Sequence, residues 1–373
     1  MDSLGPNGTL PLPPTPFHPY APPSLVTPPP LPRPRLWPAL LTLYFLAPAV
    51  GELLSGSTPP LLFISPFSLL FEAGLYGSGA ILVRELARRR GLGWGSIVLL
   101  GAAYGILEEG LVVTSWFNPY WSDLGALSTY GRALDTSWVW ALGLTMYHAV
   151  VSITIPILLV ETIFADRAAL PWLGRKGFRR FAAWLTLISL LGLIGFGFLS
   201  FRKQGYLHPP TMYFGALLLA VGLVWLALHP LRRDVPNVSA RRAPGLWALR
   251  LAGLGMTAAF FVVLWGFPSL INSPQVTFIT LALVGLFALW RVREWSGRSG
   301  WGAEQRLALA SGVMGFFLLL APLIEARPHD PTKPTTGMTL AALCWLAGLI
   351  WLAHRAGRRG RQRHTPAPVR AWY

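Results

Sequence analysis

Gly95-Ser-Ile-Val-Leu-Leu-Gly-Ala-Ala-Tyr-Gly-Ile-Leu-Glu-Glu-Gly-Leu-Val-Val113 is the stretch that decides the fold: it is long and apolar, yet it carries two adjacent carboxylates. A bilayer core about 30 Å thick needs roughly 20 consecutive apolar residues per helix, and this run has that length. Comparable runs occupy approximately 36–54, 66–86, 138–164, 181–201, 211–229, 246–267, 275–292, 307–325 and 335–354. The expected fold is an all-α polytopic membrane protein of about ten transmembrane helices.

Composition agrees with that expectation, because 53% of the 373 residues are hydrophobic and only 12% charged, against about 25% charged in a soluble domain. The net charge of +16 raises the question of nucleic acid. The bases sit in short runs between apolar segments, as in Arg84, Arg88, Arg89 and Arg90, with no basic globular domain to carry them, so they read as topology signals and no nucleic-acid partner is expected. With the N-terminus and C-terminus both cytoplasmic, only Arg132, Arg202, Lys203, Arg327 and Lys333 of the 31 basic residues fall outside. The expected partners are the lipid bilayer and anionic lipid headgroups, met by basic loops such as Arg355 to Arg363. Trp37, Trp94, Trp116, Trp121, Trp138, Trp184, Trp295 and Trp301 fall near predicted helix ends, where an indole belongs at the interface. Only Lys176, Lys203 and Lys333 are lysines, a bias that points to a GC-rich genome and a bacterial plasma membrane.

Around the helices, residues 1–35 hold 13 prolines and are expected to be a disordered tail; residues 36–354 form the helical transmembrane domain, and 355–373 a basic cytoplasmic tail. Cys344 is the single cysteine, which excludes an intrachain disulfide. No charged-then-apolar order opens the chain as a secretory signal peptide would. The sequons at Asn7 and Asn237 fall on the predicted cytoplasmic side, where no oligosaccharide is added.

Ionisable residues divide the transmembrane domain into a polar-site half, 36–166, and an apolar half, 181–354. Glu52, Glu72, Glu108, Glu109, His148 and Glu161 all lie in the first four spans. A charge at the bilayer centre costs roughly 2.5–3.5 kcal/mol on insertion scales, so these acids need partners, protonation or a wet cavity. Topology places all but Glu161 at mid-depth or in the outer leaflet. Glu161, about 20 Å further along its helix than His148, belongs near the basic loop of Arg167, Arg175, Lys176, Arg179 and Arg180. Gly101 and Gly105 form a small-xxx-small pair that admits another helix beside Glu108 and Glu109. Adjacent glutamates lie about 100° apart around a helix, so the two are expected to point different ways. A carboxylate and an imidazole on one cavity can hold a divalent metal such as zinc, with a second carboxylate as general base. The same groups can relay protons, or with Tyr76, Tyr104 and Tyr147 form an interhelical hydrogen-bond network that only holds helices together.

Gly101-Ala-Ala-Tyr-Gly-Ile-Leu-Glu-Glu-Gly110, followed one span later by Met146-Tyr-His148, resembles the CPBP family of intramembrane metalloproteases, which includes the CAAX prenyl endopeptidases and bacteriocin-processing relatives. The resemblance covers residues 100–150 and implies a polytopic helical protease in which a glutamate activates water. Carried over, Glu108 and Glu109 match the catalytic glutamate pair and His148, with Glu109, the metal-binding position. Val113 stands where the family has Arg, Leu144 where it has Phe, and no later span holds a second histidine in its interior. Two further functions stay open beside the protease: a proton- or cation-coupled transporter using Glu72, Glu108, Glu109 and His148, and a non-catalytic membrane scaffold. The outer loop Trp116-Phe-Asn-Pro-Tyr-Trp121 reads as an aromatic interfacial anchor, or else as a lid.

Overall fold

Ser65-Pro66 and Ser273-Pro274 show how local chemistry starts these helices: each serine accepts a hydrogen bond from a backbone N–H three residues on, and each proline takes the first helical position, where no N–H is missed. The computed structural model describes residues 35–199, 205, 210–229, 239–327 and 331–364, the side chains of 360–364 excepted. Residues 1–34 of the Pro-rich tail, the end of the basic tail, the sequon asparagines Asn7 and Asn237, Arg202, Lys203, His208 and His329 lie outside the described residues.

Among the described residues, nine helices are long and apolar enough to cross a bilayer. They are α2 (Pro66–Arg89), α3 (Trp94–Val112), α4 (Trp138–Ile163), α5 (Arg175–Leu199), α6 (Pro210–Leu228), α7 (Leu246–Leu270), α8 (Pro274–Ser296), α9 (Ala303–Glu325) and α10 (Met338–Arg359). Before them comes α1 (Trp37–Leu53), apolar but shorter than the rest. The chain is an all-α polytopic membrane protein, and its only strands among the described residues are two short pairs, a hairpin at Arg132–Ala133 and Thr136–Ser137 and a parallel pair at Ser239–Arg242 and Arg298–Ser299. The first helix differs from the expected span because its last turn winds wide, over Ala49–Leu53, and stops at the Ser-Gly-Ser that follows.

Burial identifies the centre. Two thirds of the apolar stretches of α3 and α4 are buried (67%), against 17% for α5, α6 and α7 and 11% for α8. The outer helices therefore present apolar surface to lipid, while α2, α3 and α4 are enclosed by protein. Glycine sets the tightest approaches: a Cβ on Gly101 would lie 2.9 Å from the Ala149 carbonyl oxygen on α4, and one on Gly312 of α9 would run into that of Arg250 on α7. Backbones in van der Waals contact are how membrane helices associate without a hydrophobic driving force.

At one end of this centre an ion network ties α2 to α4. Arg84 is fully buried; its Nε donates to Glu161 Oε1 at 3.1 Å, Nη1 to Glu85 Oε1 at 2.9 Å and to the Leu170 carbonyl, and Nη2 to the carbonyls of Arg167 and Ala168. Arg88 adds two bonds to Glu161, at 2.7 and 2.6 Å. Glu161 thus pairs with two arginines of α2, and the basic loop beyond it lies beside the pair, turning the carbonyl oxygens of Arg167, Ala168 and Leu170 toward Arg84. Glu85 accepts the N–H groups of Trp172 and Leu173, and the Trp172 ring lies 3.5 Å from the Arg84 guanidinium. Arginines that read as topology signals are here also structural.

Candidate functional site

Four helices reach the acid cluster, and each unwinds there into a wide π turn: Ala49–Leu53 in α1, Ala73–Gly77 in α2, Leu107–Val112 in α3 and His148–Thr154 in α4. Such turns also occur at Leu193–Leu199 and Val262–Gly266, so the feature is shared, but single π turns inside α-helices concentrate at functional sites. Glu52, Tyr76, Glu108, Glu109 and His148 all sit on them, and Glu72 immediately precedes one.

The structure brings Glu108, Glu109 and His148 together. All three are buried, and each offers a ligand atom within 4.8 Å of the other two. His148 Nε2 lies 2.9 Å from Glu109 Oε1, and Nδ1 lies 3.3 Å from Glu108 Oε2 and 3.0 Å from Ser152 Oγ. Both glutamates therefore reach the same ring, contrary to the expectation that neighbours must diverge. The ring lies between the two directions: α4 comes so close at Gly105, where a Cβ would be 2.8 Å from that of His148, that the imidazole fills the groove separating the two side chains.

Further contacts fix this geometry. Glu109 Oε2 accepts a short hydrogen bond from the Ser115 hydroxyl, whose oxygen accepts from Trp140 Nε1 at 2.9 Å. Ser115 can turn back because Thr114, fully buried, takes a left-handed backbone with φ 57°, a conformation costly for a β-branched residue. Tyr76 and Tyr104 flank the imidazole with ring centroids at 5.9 and 6.4 Å, and Tyr147 stands edge-on at 5.4 Å. The Tyr76 hydroxyl donates to Glu52 Oε1 at 2.5 Å, Thr58 donates to Glu52 Oε2 at 3.1 Å, and Tyr147 donates to the Gly51 carbonyl at 2.5 Å. Glu52 is half-buried and touches the cluster through Tyr76, while Glu72 is buried beside its own π turn. In and beside the cluster, three buried atoms have no hydrogen-bond partner among the described residues: Glu108 Oε2, Glu72 Oε2 and the Tyr104 hydroxyl.

Sequence reading did not single out Ser115, Ser152, Trp140 or Thr58. Ser152 was findable, four residues after His148 on the same helix face; Ser115 was not, since its placement depends on the backbone of Thr114. The outer loop also differs from an interfacial anchor: Trp116 and Phe117 are 5% and 2% exposed, packed inside the protein against Leu124, Leu127 and Trp140, and only Tyr120 is exposed. Trp295 is likewise buried against Leu249 and Ala308 and faces no headgroup.

The donor set and its spacing fit a divalent cation. Two ligands about 2.1 Å from a metal at a tetrahedral angle stand roughly 3.4 Å apart, close to the 3.3 Å between His148 Nδ1 and Glu108 Oε2. That oxygen lacks a hydrogen bond, and the opposite ring nitrogen is held by a carboxylate, the arrangement that orients metal-binding histidines.

No solved structure matches the chain. An uncharacterized protein of Archaeoglobus fulgidus is 27% identical over 187 residues, 48% of this chain and 53% of that protein, so the chain spans about half the length of the curated relative it matches. The family described as an uncharacterized membrane protein family matches residues 41–357, a range that holds all three cluster residues and α2 to α9 in full, and the chain belongs to that family.

Proposed function

We propose that the chain is a membrane-embedded metallohydrolase, a divergent relative of the CPBP proteases, with its site at Glu108, Glu109 and His148. The observation that carries this is charge and proton bookkeeping on the ring. If Nε2–H donates to Glu109, the Nδ1 lone pair lies 3.0 Å from the Ser152 hydroxyl and 3.3 Å from Glu108 Oε2, and with that hydroxyl turned away a cation between Nδ1 and the carboxylate oxygen, which has no hydrogen bond of its own, would satisfy both. His148 Nδ1 and Glu108 would hold a divalent ion, zinc or similar, which supplies Lewis-acid activation of water when bound. Glu109 fixes the ring and its tautomer through Nε2, and is fixed in turn by Ser115. The glutamate pair thus provides one ligand for the ion, Glu108, and one partner that orients the ring, Glu109. The basic runs lie against anionic headgroups in the same reading.

Metal content of the full chain purified in detergent tests it. Near-stoichiometric divalent metal in the wild type, lost in Glu108→Gln and His148→Ala proteins of undiminished melting temperature, is the expected result. Absence of bound metal after titration with zinc, manganese or cobalt rules it out.

The same geometry favours a second reading, in which the positive charge between the carboxylates is a proton on an imidazolium and the cluster couples transport to a proton gradient. It requires flux in proteoliposomes that follows the pH gradient and disappears in His148→Ala.

A further inference from the structure

On the face of α3 opposite His148, a cavity of about 630 Å3 opens between α3, α5 and α6. Leu107, Leu111, Leu193, Phe198, Phe214 and Leu217 are among its walls, and so is Ser189. Its volume falls in the usual range of ligand pockets, roughly 300–1,000 Å3. Two of its three walls, α5 and α6, are spans with only 17% of their apolar stretches buried, and Leu190, Phe198, Phe214 and Leu217 are exposed, so the cavity opens sideways to hydrocarbon. From Ser189 to Phe198 the helix rises about 14 Å, which is half of a bilayer core about 30 Å thick.

We propose that this groove binds one hydrocarbon chain of a membrane lipid, in the leaflet that the C-terminal end of α5 reaches. Two observations select this occupant. The groove is one leaflet deep, the length of an acyl chain and not of a spanning helix. Its described lining carries no charge and only two hydroxyls, on Ser189 and Tyr213, whereas a peptide would bring a backbone N–H and C=O per residue that must find partners in the absence of water. The Ser189 hydroxyl is buried with no partner among the described residues, and a hydrocarbon occupant leaves it so. The inner wall is the same π turn that carries Glu108 and Glu109, so a lipid seated here lies against the backbone of the acid cluster. The inference stands independently of whether that cluster hydrolyses anything.

The full chain reconstituted in phosphatidylcholine vesicles containing a diazirine-bearing acyl chain tests it, with adducts mapped by mass spectrometry after irradiation. Adducts should concentrate on Leu107, Leu193 and Phe214 and fall about tenfold in Leu193→Trp, which fills the groove, but not in Leu286→Trp on the lipid-facing side of α8. Ser189→Ala should leave them unchanged. Adducts spread evenly over α8 and the groove of the wild type overturn the proposal, as does labelling by an isoprenoid probe alone. Loss of adducts in Ser189→Ala overturns it too, because the ligand would then carry a polar atom at mid-membrane depth.

Discussion

At the residue scale, the cluster is held by atoms that give up conformational comfort for position. Thr114 accepts a left-handed backbone so that Ser115 can reach Glu109, and Gly105 gives up a side chain so that His148 can reach both glutamates. Removing the Ser115 hydroxyl leaves Glu109 Oε2 and Trp140 Nε1 without their shared partner. Ser115→Ala should therefore cost about 1–3 kcal/mol of stability. It should also weaken metal affinity by about 10–100-fold, measured by zinc titration against wild type; unchanged affinity would mean that Glu109 needs no orienting partner. Gly105→Ala puts a methyl 2.8 Å from the His148 Cβ, so either α3 and α4 separate or the ring moves. A loss of about 1–3 kcal/mol is expected, read as a lower melting temperature in detergent, together with weaker metal binding. Gly95→Ala, with open space around it, should show neither effect.

At the element scale, α4 is tied to its neighbours at two depths by different chemistry: the acid–histidine cluster joins it to α3 at one, and the Arg84–Glu85–Glu161 network joins it to α2 at the other. In Arg84→Met the guanidinium is lost while Glu161 keeps Arg88, and five acceptors lose a donor at once. Breaking a buried network from one side costs about 3–5 kcal/mol, and thermal unfolding in detergent should show it. Arg84→Lys should recover less than half of that, since an ammonium has no planar fork to serve acids and loop carbonyls on different sides; full recovery would show that charge alone suffices. The helices themselves were legible in the sequence because hydrocarbon leaves a run of apolar residues no other regular structure. The membership of the cluster was legible for the same reason, since carboxylates among apolar residues stand out by their cost. What was not legible is direction. The expectation that Glu108 and Glu109 diverge assumed a regular α-helix, whereas α3 widens into a π turn there and α4 brings its ring between them. The pairing of Glu161 with Arg84 and Arg88 was hidden for a similar reason, because the helix that supplies its arginines is distant in sequence.

At the scale of the whole molecule, the sidedness of the chain depends on its shortest apolar helix. The nine long spans among the described residues would alone put the two ends of the chain on opposite sides, and α1 restores the even number that the distribution of bases requires. Its length, about 25 Å at 1.5 Å per residue, is short of the hydrocarbon thickness, a mismatch that local thinning of the bilayer can absorb. Its position argues for crossing: Ala39, Leu43, Ala47 and Val50 are fully buried against the other helices, and Glu52, in its last turn, meets Tyr76 of α2 at the depth of the acid cluster. Tags at the two termini should consequently report the same side. The native cysteine at 344 is a confounder, exposed on α10, and is first replaced with alanine. Single cysteines introduced at Ser3 and Ala371 should then both resist a membrane-impermeant maleimide in intact cells and react after permeabilisation, while one at Thr129 in the outer loop should react in both. Labelling of Ser3→Cys in intact cells would place α1 along the membrane surface. The basic runs would then have to be reassigned, and the acid cluster would lose the helix that closes it on one side.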